Sequence, residues 1–164
     1  MTILRDFIAK LAGTFGIGDD SLTEASVNAV FDVQVCAPLG PFEADDNTNI
    51  HFLWKNDTGY PLVLEEAELV PTVAVTANDT NFSTVAIAFG TVGAFVAAVT
   101  TIQTTITAGT GDWVADTPEP FVVLTASAAN VLANGEYVKL TYTGTAGTGV
   151  DLPRCAAMLR FRRQ

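Results

Sequence analysis

The stretch Ala133-Asn134-Gly135-Glu136-Tyr137-Val138-Lys139-Leu140-Thr141-Tyr142 joins a turn signal to a strict alternation. Asn-Gly suits a two-residue hairpin turn, because both positions tolerate positive φ. Behind it Val138, Leu140 and Tyr142 alternate with Tyr137, Lys139 and Thr141. A strand so patterned turns one face to a core and the other to water, as antiparallel sheets do.

The same period of two recurs in both directions along the chain. Phe31, Val33 and Val35 alternate with Asp32 and Gln34, and Ile50, Phe52 and Trp54 alternate with His51 and Lys55 around Leu53. Val85, Ile87 and Phe89 share a face; Ile102, Thr104 and Ile106 alternate with Gln103 and Thr105. In the last run Cys155, Ala157, Leu159 and Phe161 oppose Arg154, Met158, Arg160 and Arg162. Turn signals separate the runs at Pro38–Pro41, Asp45–Asn49, Asn56–Gly59, Asn78–Asn81, Gly109–Gly111 and Gly144–Gly149. About eight strands at this spacing suggest a mainly β, jelly-roll-like antiparallel β-sandwich over residues 27–164.

Residues 1–26 read differently, as a short helix or arm and a linker. Ile3, Phe7 and Leu11 recur at helical spacing, Leu4 and Ile8 widen the stripe, and Gly13, Gly16 and Gly18 end it. So short a helix is marginal alone in water. Its apolar face therefore packs on its own domain or docks on a neighbouring subunit or partner.

The chain has 164 residues and a net charge of −10, with 49% hydrophobic and 16% charged residues. That composition supports one domain with a substantial core. Lys55 is the only lysine or arginine between Lys10 and Lys139. The body therefore lacks the basic cluster that phosphate binding needs, and nucleic acid is not expected as a partner. The Arg154, Arg160, Arg162 and Arg163 group offers either a docking patch for an acidic protein or a solvated strand end. No run is long enough to span a membrane, and Arg5, Asp6 and Lys10 interrupt the core a signal peptide would need. Two cysteines make no disulfide framework, which leaves an intracellular origin as the default.

Sites of chemistry are sparse. The single histidine, His51, has neither a nucleophile motif nor ligand spacing beside it, and reads as a polar residue on a strand face. Asp45, Asn47 and Asn49 open like a calcium loop, but Ile50 stands where glycine is needed and Asn56 where glutamate is. The glycine runs lack the Gly-Lys-Ser/Thr of a phosphate loop. Glu65, Glu66 and Glu68 pair carboxylates as glycosidases do, yet a charged strand edge explains them as well. Asn56, Asn78 and Asn81 head glycosylation sequons that serve equally as turns. In a jelly roll the strands of Cys36 and Cys155 are neighbours, so the two thiols either face each other or stay free. No cofactor or metal is expected, and no enzymatic activity.

The second half carries a further pattern. Phe82-Ser83-Thr84-Val85-Ala86-Ile87-Ala88-Phe89-Gly90 precedes a Thr-rich strand, Val99 to Thr107. Gly111-Asp112-Trp113-Val114-Ala115, the segment Phe121 to Ser127, residues 133–142, Gly147-Thr148-Gly149 and a closing strand to Phe161 follow. This order resembles the small β-sandwich proteins of tailed-bacteriophage virions, capsid decoration (cement) proteins and head-fibre bases. The resemblance implies a non-enzymatic protein, made in the host cytoplasm, that binds the major capsid protein on the capsid exterior and stabilises the shell. It further implies a homotrimer attached through an N-terminal segment, here residues 1–18, with Ile3, Leu4, Phe7, Ile8 and Leu11 on the partner-binding face. The alternatives are a receptor- or carbohydrate-binding module with Trp54, Tyr60 and Trp113 as its exposed aromatics, and another virion part such as a tail or head-completion protein.

Overall fold

The structure is a computed structural model that describes residues 33–42, 48–107, 109–144 and 151–164. All of these belong to one unit, Val33–Gln164. The N-terminal segment expected as a helix or arm, with Ile3, Leu4, Phe7, Ile8 and Leu11, lies outside the described residues, as do residues 27–32 of the expected sandwich.

The chain forms strands β1 (Val33–Leu39), β2 (Asn49–Lys55), β3 (Leu62–Pro71), β4 (Ser83–Thr91) and β5 (Ala94–Ala97). The short β6 (Ile102–Gln103), β7 (Glu119–Pro120) and β8 (Val131–Leu132) precede β9 (Tyr137–Gly144) and β10 (Cys155–Arg163). They build two five-stranded sheets. In the first the order is β1-β10-β3, with β7 and β8 side by side on the far edge of β3; in the second it is β2-β9-β4, with β5 and β6 on the far edge of β4. Every pairing is antiparallel. The chain changes sheets between β1 and β2, β2 and β3, β3 and β4, β6 and β7, β8 and β9, and β9 and β10, which is the jelly-roll path.

The alternating residues explain why these strands form where they do. Val85, Ile87 and Phe89 of β4 and Val138, Leu140 and Tyr142 of β9 are buried on the inner face of the second sheet. Cys155, Ala157, Leu159 and Phe161 of β10 are buried on the inner face of the first. Phe161 joins the two layers, its ring centroid 5.9 Å from Trp54 and 5.8 Å from Phe89. The one polar atom of buried Tyr142 is satisfied: its hydroxyl and Ser83 Oγ share a 2.9 Å hydrogen bond.

Four expectations fail, each for a local reason. The inward face of β2 is the reverse of the one its larger residues suggest. A register shift between Phe52 and Trp54 lets His51 and Trp54 both turn inward while Ile50 and Phe52 stay 54% and 53% exposed. His51, on a strand face as expected, is a half-buried partner of Phe42, 4.6 Å between ring centroids. The Thr-rich strand from Val99 to Thr107 shrinks to Ile102–Gln103, plus a single bridge at Val99. The Ile106 and Thr107 amides donate instead to the Asp79 carboxylate, at 2.8 and 2.9 Å. Together with the Thr107 hydroxyl, these bonds hold that carboxyl below its ordinary range.

The third failure is the expected hairpin at Asn134-Gly135. Asn134-Gly135 makes a tight turn, with the Glu136 amide bonded to Ala133 O at 3.1 Å, but β8 belongs to the first sheet and β9 to the second. It is a corner, and the tight hairpin is the one at Val92-Gly93, between β4 and β5. Gly90 is required there: its φ is +156° and a Cβ would run into Ala94 O.

Fourth, Glu65, Glu66 and Glu68 do not line an edge, because β3 has β10 on one side and β7 and β8 on the other. A bulge sets Glu66 opposite Arg160 and Leu64 opposite Phe161, leaving Glu65 as the extra residue. Both adjacent carboxylates then reach the arginines of β10: Arg160 donates to both Glu66 oxygens at 2.6 and 3.1 Å, and Arg162 Nε lies 2.9 Å from Glu65.

The cysteines are free and on opposite faces of their sheet. Cys36 pairs with Met158 and is exposed; Cys155 pairs with Leu39 and is buried. Burial pushes the Cys155 thiol up to about 12, and its S–H donates to Pro153 O at 3.1 Å. A thiol reagent at pH 8 is therefore expected to titrate one cysteine per folded chain and two in denaturant, with mass spectrometry placing the first label on Cys36. Two rapid labels in the folded protein would refute the burial of Cys155. The sign of the linkage also follows. Unfolded chains lose this proton near pH 9.0 and the folded protein near 12, so stability falls as pH rises across that window.

Candidate interaction face

The two outer faces of the sandwich differ in kind. On the first sheet the bulge of β3 and the arginines of β10 make a ladder of ion pairs, Arg160 with Glu66 and Glu65, and Arg162 with Glu65. The second sheet presents an apolar surface. Its register puts Ile50 beside Thr141 and Thr141 beside Ala86; Phe52 beside Lys139, Lys139 beside Ala88 and Ala88 beside Ala97; and Lys55 beside Tyr137, Tyr137 beside Gly90 and Gly90 beside Phe95. Directly opposed residues of antiparallel strands share a face. Ala86, Ala88, Gly90 and Ala97 thus form a floor of small residues, with Phe52, Tyr137 and Phe95 standing around it.

These rings touch one another. The Phe52 centroid lies 5.9 Å from Phe95 and 5.6 Å from Tyr137, with interplanar angles of 45° and 67°. The Lys139 ammonium sits 4.4 Å from the Phe95 centroid, a cation–π contact. Lys55 lies 6.0 Å from the Tyr137 centroid and pairs with Asp57 at 2.7 Å; that hydrogen bond and charge raise its pKa. Val92 at the hairpin tip, 76% exposed, adds to the apolar exposure at this end of the sheet.

The residues singled out in the sequence are not brought together here. Trp113 is completely buried, and Trp54 packs against Phe161. Of the three aromatics nominated for sugar binding only Tyr60 is exposed, and the Arg163 guanidinium lies 3.6 Å from its ring centroid. The arginine group is largely engaged within the fold: Arg160 and Arg162 by carboxylates, Arg163 by Tyr60. Asp45 and Asn47 lie outside the described residues, and Asn49 opens β2. Asn56 is buried and Asn78 caps a turn, accepting from the Thr80 and Asn81 amides at 2.8 and 2.9 Å. Among the described residues no group of three or more His, Cys, Asp or Glu side chains could hold a metal ion.

One signal for this face was present in the sequence. Residues 80–111 contain no Asp, Glu, Lys or Arg, although the chain carries 18 acidic and 8 basic residues. Apolar residues at Ile50 and Phe52 signalled a buried face, and they sit instead on a surface fit to be covered. Comparisons with protein-family models, with curated proteins and with solved structures return no match.

Proposed function

We propose that this chain is a non-enzymatic structural module of a virus particle, a jelly roll that attaches to the outside of a tailed-bacteriophage capsid and stabilises it. The carrying observation is the exposed apolar face of the second sheet. Phe52, Phe95 and Tyr137 stand on the sheet around a floor of small residues, an apolar surface suited to being covered by protein. The strand order supports the reading as well, since jelly rolls recur among viral capsid domains; a fold alone does not assign a function. The sequence resemblance adds the target, the major capsid protein, and assigns attachment to residues 1–18.

Co-sedimentation tests this with purified capsids and purified full-length protein. The expected result is saturable pelleting with capsids, lost when residues 1–18 are deleted while the strand signal in circular dichroism persists. A full-length protein that stays in the supernatant would overturn the proposal. A deletion variant that unfolds would show that the N-terminal segment belongs to the core and is no arm.

The carbohydrate-binding alternative has one observation in its favour, the clustering of aromatics on one face. Their geometry serves it poorly. Sugars stack on open ring faces, whereas Phe52 and Tyr137 meet at 67° and Lys139 covers Phe95. Binding on a glycan array that Phe52→Ala abolishes would restore that reading.

A further inference from the structure

We infer that the outer face of the second sheet, together with the edge of β5 that faces away from β4, is a contact between copies of this chain. The inference deepens the proposed function and rests on it in one respect, that the face is covered by protein in the particle.

Two molecules of net charge −10 repel each other, so their contact favours a surface without carboxylates. Residues 80–111, which supply β4, β5 and β6, contain no charged side chain. From the neighbouring strands Ile50, Phe52, Tyr137, Lys139 and Thr141 join them, and none is acidic. The opposite outer face presents Glu65, Glu66 and Glu68 instead.

The edge of β5 points the same way. Free edges are commonly guarded by lysine, proline, a bulge or a covering segment. From Thr91 to Ala97 the chain is Thr-Val-Gly-Ala-Phe-Val-Ala, with none of those guarding residues and a continuous register against β4. The Ala98 amide donates to Ile87 O at 3.0 Å, so by antiparallel alternation the amides of Phe95 and Ala97 point away from β4. Among the described residues they meet no acceptor.

Lys55 is paired with Asp57, and Lys139 keeps its charge over Phe95; that single cation meets a copy of this acidic chain as readily as any other acidic protein. The face carries both knobs and a hollow, the aromatic rings and the alanine floor. A surface that contacts its own copy needs both.

The test is sedimentation velocity and light scattering on the purified full-length chain, without capsids, over a dilution series. Ala97→Glu places a carboxylate at the exposed edge, and Gln34→Glu places one on the other sheet as a control. The wild type is expected to form a multimer of defined mass. Ala97→Glu should weaken it at least tenfold with an unchanged circular dichroism spectrum, Gln34→Glu should leave it intact, and hydrogen exchange should show the Phe95 and Ala97 amides protected only in the multimer. A wild type that is monomeric at every concentration would overturn the inference, as would a multimer indifferent to Ala97→Glu. Either failure leaves the pelleting experiment free to succeed, so the two readings fall separately.

Discussion

Asn56→Asp is expected to destabilise the sandwich by about 3–5 kcal/mol near neutral pH, enough to unfold a domain of ordinary stability or bring it close to unfolding. Asn56 is completely buried at the end of β2. Its amide nitrogen donates to Tyr60 O at 2.8 Å and to Leu132 O at 3.1 Å, and its side-chain oxygen accepts from the Thr58 amide and hydroxyl at 3.2 and 2.7 Å. Its backbone is equally committed, to Glu136 O at 2.8 Å and to the Gly135 amide at 2.6 Å. One side chain therefore ties the β2–β3 connection to the corner between β8 and β9. A carboxylate keeps the acceptor half and turns a second anionic oxygen toward two carbonyls, leaving both unpaired and a charge buried. Its folded pKa would be raised, so the loss is fully present at neutral pH and shrinks as acid protonates the group. Asn56→Ala removes the hydrogen bonds without adding charge and should cost less. Urea denaturation at two pH values measures the effect; a variant as stable as wild type at pH 7 would show that this network does not hold the corner.

Trp113→Ala should cost about 3–5 kcal/mol, the usual range for removing a large buried aromatic. The indole is fully buried, and its N–H donates to Thr110 Oγ1 at 2.6 Å. The Trp113 backbone exchanges two 2.9 Å hydrogen bonds with Val75. It thereby seats the β3–β4 connection against the β6–β7 connection, where little regular strand pairing exists. Trp113→Phe retains most of the packing and loses only the bond to Thr110, whose hydroxyl is exposed and also donates to Gln103 O at 3.1 Å. It should therefore cost about 1–2 kcal/mol on the scale of a single hydrogen bond and a partial cavity. Equal losses in the two variants would mean that the hydrogen bond, rather than the buried volume, anchors these loops.

The strands most legible in the sequence include three with partners on both sides. β4, β9 and β10 each sit inside a sheet, their alternation is unbroken, and Ile87, Leu140 and Leu159 face the core as the pattern says. The pattern misleads where register shifts. A bulge reverses the expected face of Ile50 and Phe52, and another lets Glu65 and Glu66, adjacent in sequence, reach arginines on the same side. The segment 104–107 has strand-like composition, but Asp79 takes amides that a ladder would have used. That partner is far away in sequence, so no local rule could announce it. The interaction face was hidden for a related reason. An exposed apolar residue and a buried one look alike until the sheet is assembled, and only the absence of charge over residues 80–111 marked the difference.

The position of β10 has a consequence for how the protein is made. It is the last of the described strands and lies in the interior of the first sheet, between β1 and β3. While a ribosome is still synthesising residues 155–163, β1 lacks the strand it pairs with among the described residues and β3 has one long side open, with Leu64, Ala67 and Leu69 uncovered. The second sheet can assemble earlier, since β2, β4 and β9 have already been translated. The nascent chain must therefore carry half of its sandwich unfinished until the final segment arrives. Contacts so distant in sequence form slowly and leave strand edges open to wrong partners meanwhile. A translation pause just before Cys155 should thus lower the yield of folded protein, whereas a pause before Ser83, when little of either sheet exists, should matter less.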